Sequence, residues 1–539
     1  MSLAWTQHLV LVPVLLPLLC GSLLILLNES RHQLKFYINS ASVLALLATA
    51  LGLMWQIDAN PEPGSMSVYL AANWSAPFGI ALVADRLAAL MLLLTAVMAA
   101  CALLYSMLGW SRIGVHFHSL FQYLLMGLNG AFLTHDLFNL FVFFEVMLAA
   151  SYGLVLHGYN LNRIRAGMQF IAINLVASLL FLIGVALLYA ATGTLNMADL
   201  AGRAMDLAGP ELNLLQLGAA VLAMAFLIKS AMWPLGFWLP TTYSAASPPV
   251  AVMFVLMTKV GVYAILRLWL LVFSSDAGEA AGFGFTALMW GGIATIVFGA
   301  AGMLASEVQG KLAGYGAIIS SGTLLTAIGY GQSALIAPAL FYLLSSTLAV
   351  AAFMLLIELI DRSRNPVQAL LSVTMEAFGI EESPEQPVGK SIPAGFAFLG
   401  VAFALSGLII AGLPPLSGFI AKFSLFHAVL NPGGNTELSL AGVVLIAVIV
   451  ASGLAATLAL MQFGARTFWA SGSTTVRLRI SEVIPIAALL SLCILMTTHA
   501  SPLFAYIERV SDDLHQPGRY IERVLGQPVV PGVLGEEYP

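Results

Sequence analysis

The chain of 539 residues is 60% hydrophobic and 9% charged, with a formal net charge of −5 and a mean hydropathy of +0.95. Repeated apolar runs of about 20 residues, each long enough to cross about 30 Å of hydrocarbon, exclude a soluble globular enzyme and predict an all-α polytopic membrane protein. No basic run exceeds two or three residues, which argues against nucleic acid as a partner, and Cys20, Cys101 and Cys493 each stand alone in an apolar run, so no disulfide framework, thiolate-held zinc or iron–sulfur cluster is expected.

In chain order, spans are predicted near residues 8–27, 34–56, 86–109, 115–134, 136–157, 166–190, 212–244, 248–272, 283–305, 311–330, 334–360, 394–430, 439–464 and 481–499, about fourteen in all. The first run lacks a basic n-region and a small-residue cleavage motif, so it reads as a membrane helix rather than a removed signal. Basic residues fall in every second connection: Arg31 and Lys35, Arg112, Arg163 and Arg165, Lys311, Arg362, Arg364 and Lys390, then Arg466, Arg477 and Arg479. Lys and Arg gather in cytoplasmic loops, so both termini are expected on the outer, periplasmic face of the membrane. The polar connector 362–391 is expected in the cytoplasm. The tail 501–539 reads as an outward-facing segment that either forms a short amphipathic surface helix or stays solvated, with no site assigned to it.

Two spans carry the mark of broken helices, which let membrane transporters present backbone groups to a buried cavity instead of to lipid. In AFLIKSAMWPLGFWLPTTY the break is expected at Pro234, and in LIIAGLPPLSGFIAKF at Pro414 and Pro415. Each break lies within eight residues of a lysine, Lys229 in the first case and Lys422 in the second. Two halves of about five spans, each with an interrupted helix and a lysine beside the break, suggest a structural repeat.

The chain has six lysines, and Lys229, Lys259 and Lys422 lie inside apolar spans together with Glu145; Lys311 stands at the head of a span. Ionisable groups at membrane depth cost several kcal/mol on insertion scales, so they mark pathways for ions or protons. Burial disfavours a lysine's charged form and a nearby carboxylate restores it, so such a pair can switch. Glu145 lies nine residues after Asp136, about 13 Å along a helix, which puts it near mid-membrane if Asp136 marks the surface. A proton relay from Glu145 and Lys229 to Lys259 and on to Lys422 is the reading these positions favour; the competing one is structural ion pairing or snorkelling. For Lys311 an interfacial anchor is the equal alternative to an entry point. His427 either extends the relay outward or is a satisfied helix histidine, and the His116/His118 pair lacks a third ligand, so no metal site is assigned.

NGAFLTHDLFNLFVFFEVMLAASYGLVLHG, KSAMWPLGFWLP, TKVGVYAILR and GLPPLSGFIAKF resemble the antiporter-type subunits shared by multisubunit Mrp (Sha or Pha) cation/proton antiporters and respiratory complex I. NWSAPFGIALVADRLAALMLLL and GTLNMADLA are especially similar to D-type Mrp subunits. The resemblance covers essentially the whole chain. It implies about fourteen transmembrane helices with two inverted five-helix repeats and broken helices 7 and 12. The corresponding organisation is 1–110 for helices 1–3, 111–275 for the first repeat, 280–465 for the second, 480–500 for helix 14, and the tail. It also implies that Glu145 is the family's fifth-helix glutamate, Lys229 and Lys259 its lysines on helices 7 and 8, and Lys422 its terminal lysine on helix 12. One departure stands out: where many relatives place a histidine on helix 11, this chain reads FYLLSSTLAVAAF, so Ser345, Ser346, Thr347 and held water would have to bridge the two half-pathways. The function implied is a subunit of a sodium or potassium/proton antiporter in a bacterial inner membrane, assembled with other Mrp-type subunits, with Na+ or K+ and H+ as substrates and no cofactor. The alternatives are a proton-pumping membrane subunit of NADH:quinone oxidoreductase or a membrane-bound hydrogenase, and a scaffold that moves nothing.

Overall fold

The computed structural model describes residues 8–59, 64–158, 160–363, 393–431, 439–468 and 478–529. Most of the connector expected at 362–391 and the end of the tail lie outside these residues. Among the described residues, twelve helices are long and apolar enough to cross a membrane. With the shorter apolar helix α1 (Val12–Leu26) and the 17-residue α4 (Phe117–Leu133), and with each interrupted helix taken as one crossing with its continuation, the described residues give fourteen crossings.

Between α1 and α4 run α2 (His32–Asp58), a hairpin of β1 (Met66–Leu70) and β2 (Ala81–Asp85), and α3 (Arg86–Ser106). The hairpin is antiparallel with Val68 opposite Val83, and it delivers Asp85 to the N-cap of α3, where its carboxylate accepts the Ala88 N–H at 2.8 Å. A period-2 segment of five residues beside long apolar runs leaves little trace, and the hairpin was not expected from the sequence.

The next five spans are α4, α5 (Leu137–Val155), α6 (Leu161–Thr192), the broken pair α8 (Gly209–Lys229) and α9 (Leu239–Ala245), and α10 (Pro248–Val272), with the short α7 (Met197–Ala204) between α6 and α8. Five more follow: α11 (Phe285–Ala305), α12 (Gln309–Gly329), α13 (Ser333–Ser363), the broken pair α14 (Ala394–Ala411) and α15 (Ser417–Leu430), and α16 (Leu440–Phe468). In both sets the fourth span is the interrupted one. Because each set has an odd number of spans, the second begins on the opposite face from the first, and the repeats are inverted. The last crossing is α17 (Ile480–Thr498), followed by α18 (Ala500–Leu514) and α19 (Pro517–Leu525). We refer to the side holding α18 and α19 as the tail face and the other as the loop face.

The middles of α10 and α13 are wholly enclosed by other helices, whereas only about two-fifths of α6, α11 and α16 is buried. These two axial helices are the ones most fully screened from lipid. With no hydrophobic drive between helices in lipid, close approach through small residues takes its place. At Gly292 of α11 an added Cβ would lie 2.6 Å from the Thr326 amide nitrogen, and at Gly261 of α10 it would lie 2.8 Å from the Phe226 carbonyl oxygen. The second contact presses α10 against the end of α8, beside Lys229.

Candidate functional site

Each break is built by its own sequence. Helix α8 ends at Lys229, Ala231 takes a left-handed conformation at φ 59°, and the chain runs irregularly through Pro234 before α9 starts. The amide hydrogens released there find partners across the bundle: Trp233 N–H donates to Thr295 Oγ1 on α11 at 2.9 Å. In the second half α14 ends at Gly412, whose φ of 78° favours glycine, and Pro414 and Pro415 delay α15 until Ser417. The carbonyl of Ala411, freed by this ending, accepts a hydrogen bond from Lys422 Nζ at 2.7 Å.

All three span lysines are buried, Lys259 completely. Lys229 Nζ makes no hydrogen bond among the described residues; it lies 5.0 Å from the centre of the Phe144 ring and within Coulombic reach of Glu145. Glu145 is half-buried on α5 and accepts a hydrogen bond from the Ser178 hydroxyl of α6. A cavity of about 10 Å³, close to the room one water needs, is lined by Lys229, Asn174, Met257 and Thr258, so it joins the lysine of α8 to the turn of α10 next to Lys259.

From Lys259 the polar contacts pass into the second repeat. Lys259 Nζ donates to Ser320 Oγ on α12 at 2.7 Å, and Ser320 Oγ lies 2.8 Å from Ser346 Oγ on α13. Ser345 pairs with Ser417 Oγ at 2.8 Å, at the first residue of α15. A second cavity of about 10 Å³ is lined by Ser345, Ser346, Tyr342, Ser452 and Lys422. Hydroxyls can donate and accept at once, so this chain has a polar connection between the halves where no titratable side chain stands. Thr347 does not join it: its hydroxyl donates to the Leu343 carbonyl at 2.5 Å.

The remaining sequence-flagged residues lie apart. Lys311 is half-buried at the start of α12 on the loop face. His427 is exposed on α15 and lines an open cavity of about 540 Å³ at the tail face together with Ser424, Asn431, Glu508 and Asp512. Ser178, Asn174, Ser320 and Ser417 were not singled out from sequence; serine and asparagine are common in apolar helices, and only the fold reveals which ones face the lysines. Arg267, near the end of α10, is buried and pairs with Asp85.

Residues 134–449 match the family described as NADH:quinone oxidoreductase/Mrp antiporter, TM. The chain is 51% identical over 532 residues to the D-type subunit of a probable K(+)/H(+) antiporter of Rhizobium meliloti, covering 97% of this chain and 98% of that protein. It is 33% identical to the D-type subunit of the Na(+)/H(+) antiporter of Alkalihalophilus pseudofirmus, covering 96% and 99%. Among solved structures, a chain of the Mrp complex from a Dietzia species superposes with a TM-score of 0.82 at 24% identity, covering 98% of this chain and 100% of that one. A chain of respiratory complex I from Thermus thermophilus gives 0.70 at 21% identity, covering 97% and 100%. The fold is thus shared with both machines, while the sequence sides with the antiporters: the chain belongs to the NADH:quinone oxidoreductase/Mrp antiporter transmembrane family, among its D-type antiporter subunits.

Proposed function

We propose that the chain is the ion-translocating D-type subunit of a multisubunit Na+ or K+/proton antiporter, and that protons move through it along Glu145, Lys229, Lys259, the Ser320–Ser346 hydroxyls and Lys422. It is a secondary transporter subunit rather than an enzyme, and it works with the other subunits of an Mrp-type complex. The observation that carries the relay is the polar link between the two halves: Lys259 to Ser320 at 2.7 Å, Ser320 to Ser346 at 2.8 Å, and a cavity shared by Ser346 and Lys422. Proton transfer needs groups within hydrogen-bond reach or one water apart, and that spacing supports the reading. Movement of the Glu145 carboxylate toward or away from Lys229 changes the lysine's charge, and the mobile proton then passes to Lys259. The basic connections on the loop face support a cytoplasmic location for it and an outward tail face, in a bacterial inner membrane.

The test is cation-driven proton exchange in everted vesicles holding the whole complex. Glu145→Ala and Lys229→Ala are each expected to abolish exchange while the complex still assembles. Unimpaired exchange in both variants overturns the relay. Co-purification separates the antiporter from a redox-driven pump: companion antiporter subunits are expected, and flavin or iron–sulfur partners would reassign the same path to electron-driven pumping.

A further inference from the structure

Above Lys259, α10 continues to the tail face with Tyr263 and Arg267 at spacings of four and eight residues, on the same side of the helix. All three side chains are buried. A proton leaving Lys259 straight toward the tail face would have to follow that side. It meets a set of interactions that the relay does not use.

Arg267 grips Asp85 with two hydrogen bonds, at 2.5 and 2.8 Å, and its Nη2 also donates to the Tyr263 hydroxyl at 3.2 Å. Tyr263 in turn donates to the Phe132 carbonyl at 2.6 Å, at the end of α4. The pair is almost wholly enclosed, so the guanidinium is a fixed positive charge in a low-dielectric setting, and it has no proton to release. Burial by itself would raise the Asp85 carboxyl, but Arg267 more than offsets this and holds it below its ordinary value. Burial, followed by the Arg267 charge, pushes neighbouring His135 down to about 3, so the imidazole is neutral in any physiological buffer.

The tail closes over this pair. Tyr520 of α19 packs on the His135 ring at 5.4 Å, and Pro517, Tyr520 and Val524 form the buried side of that helix. Polar links tie helix α18 down, among them Arg86 Nη1 to Asp513 at 2.6 Å, Gly64 N–H to Asp513 at 2.8 Å, Tyr506 Oη to the Arg86 carbonyl at 2.9 Å and Arg509 Nη2 to Asp58 at 3.0 Å. A cavity of about 20 Å³, lined by Asp85, Arg267, Asp513, Gln516 and Tyr520, lies under the tail. His135 Nε2, Tyr520 Oη and Arg267 Nε are buried without a hydrogen-bond partner among the described residues. The region is polar and roomy enough for water, and a wet route there would short-circuit the relay unless something bars it.

We propose that Arg267, held by Asp85 and covered by the Tyr520 helix, is a fixed electrostatic plug that bars protons and cations from leaving the first repeat at the tail face, and so compels transfer sideways to Ser320. This rests on the relay of the preceding section. An arginine in a constriction repels cations and hydronium through its charge. The plug works because the charge is permanent, whereas the lysine beneath it can switch.

The decisive measurement is passive decay of an imposed pH gradient in liposomes containing the purified whole complex, in buffer without Na+ or K+. In the paired neutral variant Asp85→Asn/Arg267→Gln the first change keeps the shape of the side chain, and the second leaves an amide donor on a shorter stem. It is expected to speed proton leak by about tenfold, the factor given by about 1.4 kcal/mol of lost barrier. Adding Lys259→Ala to that pair should suppress the leak, since the route starts at the lysine. Arg267→Lys keeps a cation, but one that can release its proton, so it should leak more than the unmodified complex and less than the neutral pair. If the paired variant does not assemble, Tyr520→Ala removes only the cover and is expected to leak to a smaller degree. A tight assembled complex carrying the neutral pair, or a tight Tyr520→Ala complex where the pair fails to assemble, overturns the plug while leaving the relay standing. Loss of cation-driven exchange in none of the Glu145 and Lys229 variants would overturn the relay instead.

Discussion

Each of the two lysines beside the helix breaks lies on the interrupted span of its repeat, Lys229 at the end of the helix before the break and Lys422 inside the helix after it, and their surroundings differ. Lys229 has no hydrogen bond among the described residues and depends on a carboxylate and an aromatic face, Glu145 and Phe144. Lys422 is fastened to the Ala411 carbonyl at 2.7 Å, a backbone group that the break itself exposes. A carboxylate on another helix can move or take up a proton, so its hold on Lys229 is adjustable. A carbonyl at a helix end is fixed and cannot be neutralised. Under the proposed relay, the first half has the parts of a switch, and the second half those of a fixed station that would receive what the switch sends.

That difference is broken most severely in the first half. Lys229→Ala removes the proposed switching group, and exchange by the whole complex is expected to fall by at least about a hundredfold, to background in the vesicle assay, the scale on which positioned acid–base groups act. Lys422→Ala leaves the Ala411 carbonyl and the hydroxyls around it, which water can bridge, so a drop of about tenfold is expected. Equal losses in the two variants would erase the distinction. Lys422→Arg sharpens it: a side chain that stays charged can keep the carbonyl contact but cannot receive and release a proton, so it should be no better than alanine.

Ser320→Ala cuts the link between the halves. It takes away the acceptor of the Lys259 hydrogen bond, and hydrogen bonds to charged groups contribute about 1.5–3 kcal/mol, so exchange should fall about tenfold. Unchanged exchange in this variant would mean that Lys259 does not hand its proton to the second repeat through α12.

Much of this was legible before any fold was known. Apolar run lengths gave the crossings, prolines located both breaks, and the rarity of lysine made Lys229, Lys259 and Lys422 conspicuous, because a charge in a span is costly enough to need a reason. What stayed hidden depends on which way a side chain faces. Ser320 is one of two adjacent serines in α12, and nothing in ISSGTLL says which one meets Lys259. Asp85 and Arg267 are 182 residues apart, and neither has a sequence mark distinguishing a buried pair from two span-end anchors. The tail was the least legible part: its sequence fits a short surface helix or a solvated end equally, and neither reading foresees that Asp513, Tyr506 and Tyr520 spend their polar groups or rings on the bundle. Long-range pairing of this kind has no periodicity to reveal it.

The backbone of the second break gives a stability test. At Gly412 φ is 78°, and an added Cβ would lie 2.5 Å from Lys422 Cδ. Gly412→Ala therefore meets both an unfavourable backbone conformation and the lysine stem, and overpacking of this kind costs about 1–3 kcal/mol. The complex should lose thermal stability, measured by the temperature at which the detergent-solubilised complex aggregates. Gly109, also left-handed at φ 111°, has nothing within 4 Å of an added Cβ, so Gly109→Ala carries the backbone cost alone. A Gly412 variant no less stable than the Gly109 variant would show that the Lys422 stem yields freely, and that the station is looser than the Ala411 hydrogen bond suggests.

The smallest effect is expected at the third residue of the Ser345–Ser346–Thr347 run, and there the direction of the hydroxyl decides. Ser346 Oγ lies 2.8 Å from Ser320 Oγ, whereas Thr347 Oγ1 turns back onto its own helix and donates to Leu343 O. Valine has nearly the shape of threonine without the hydroxyl, so Thr347→Val removes only that internal bond, and a helix carbonyl that loses a side-chain donor keeps its backbone partner. Exchange should stay within about twofold of the unmodified complex, the spread ordinary for a contact worth about 0.5 kcal/mol. Ser346→Ala should lose several times more. If Thr347→Val proved the more damaging of the two, the proton would have to pass along the side of α13 that faces away from Ser320, and the lateral link between the repeats would have to be redrawn through that side.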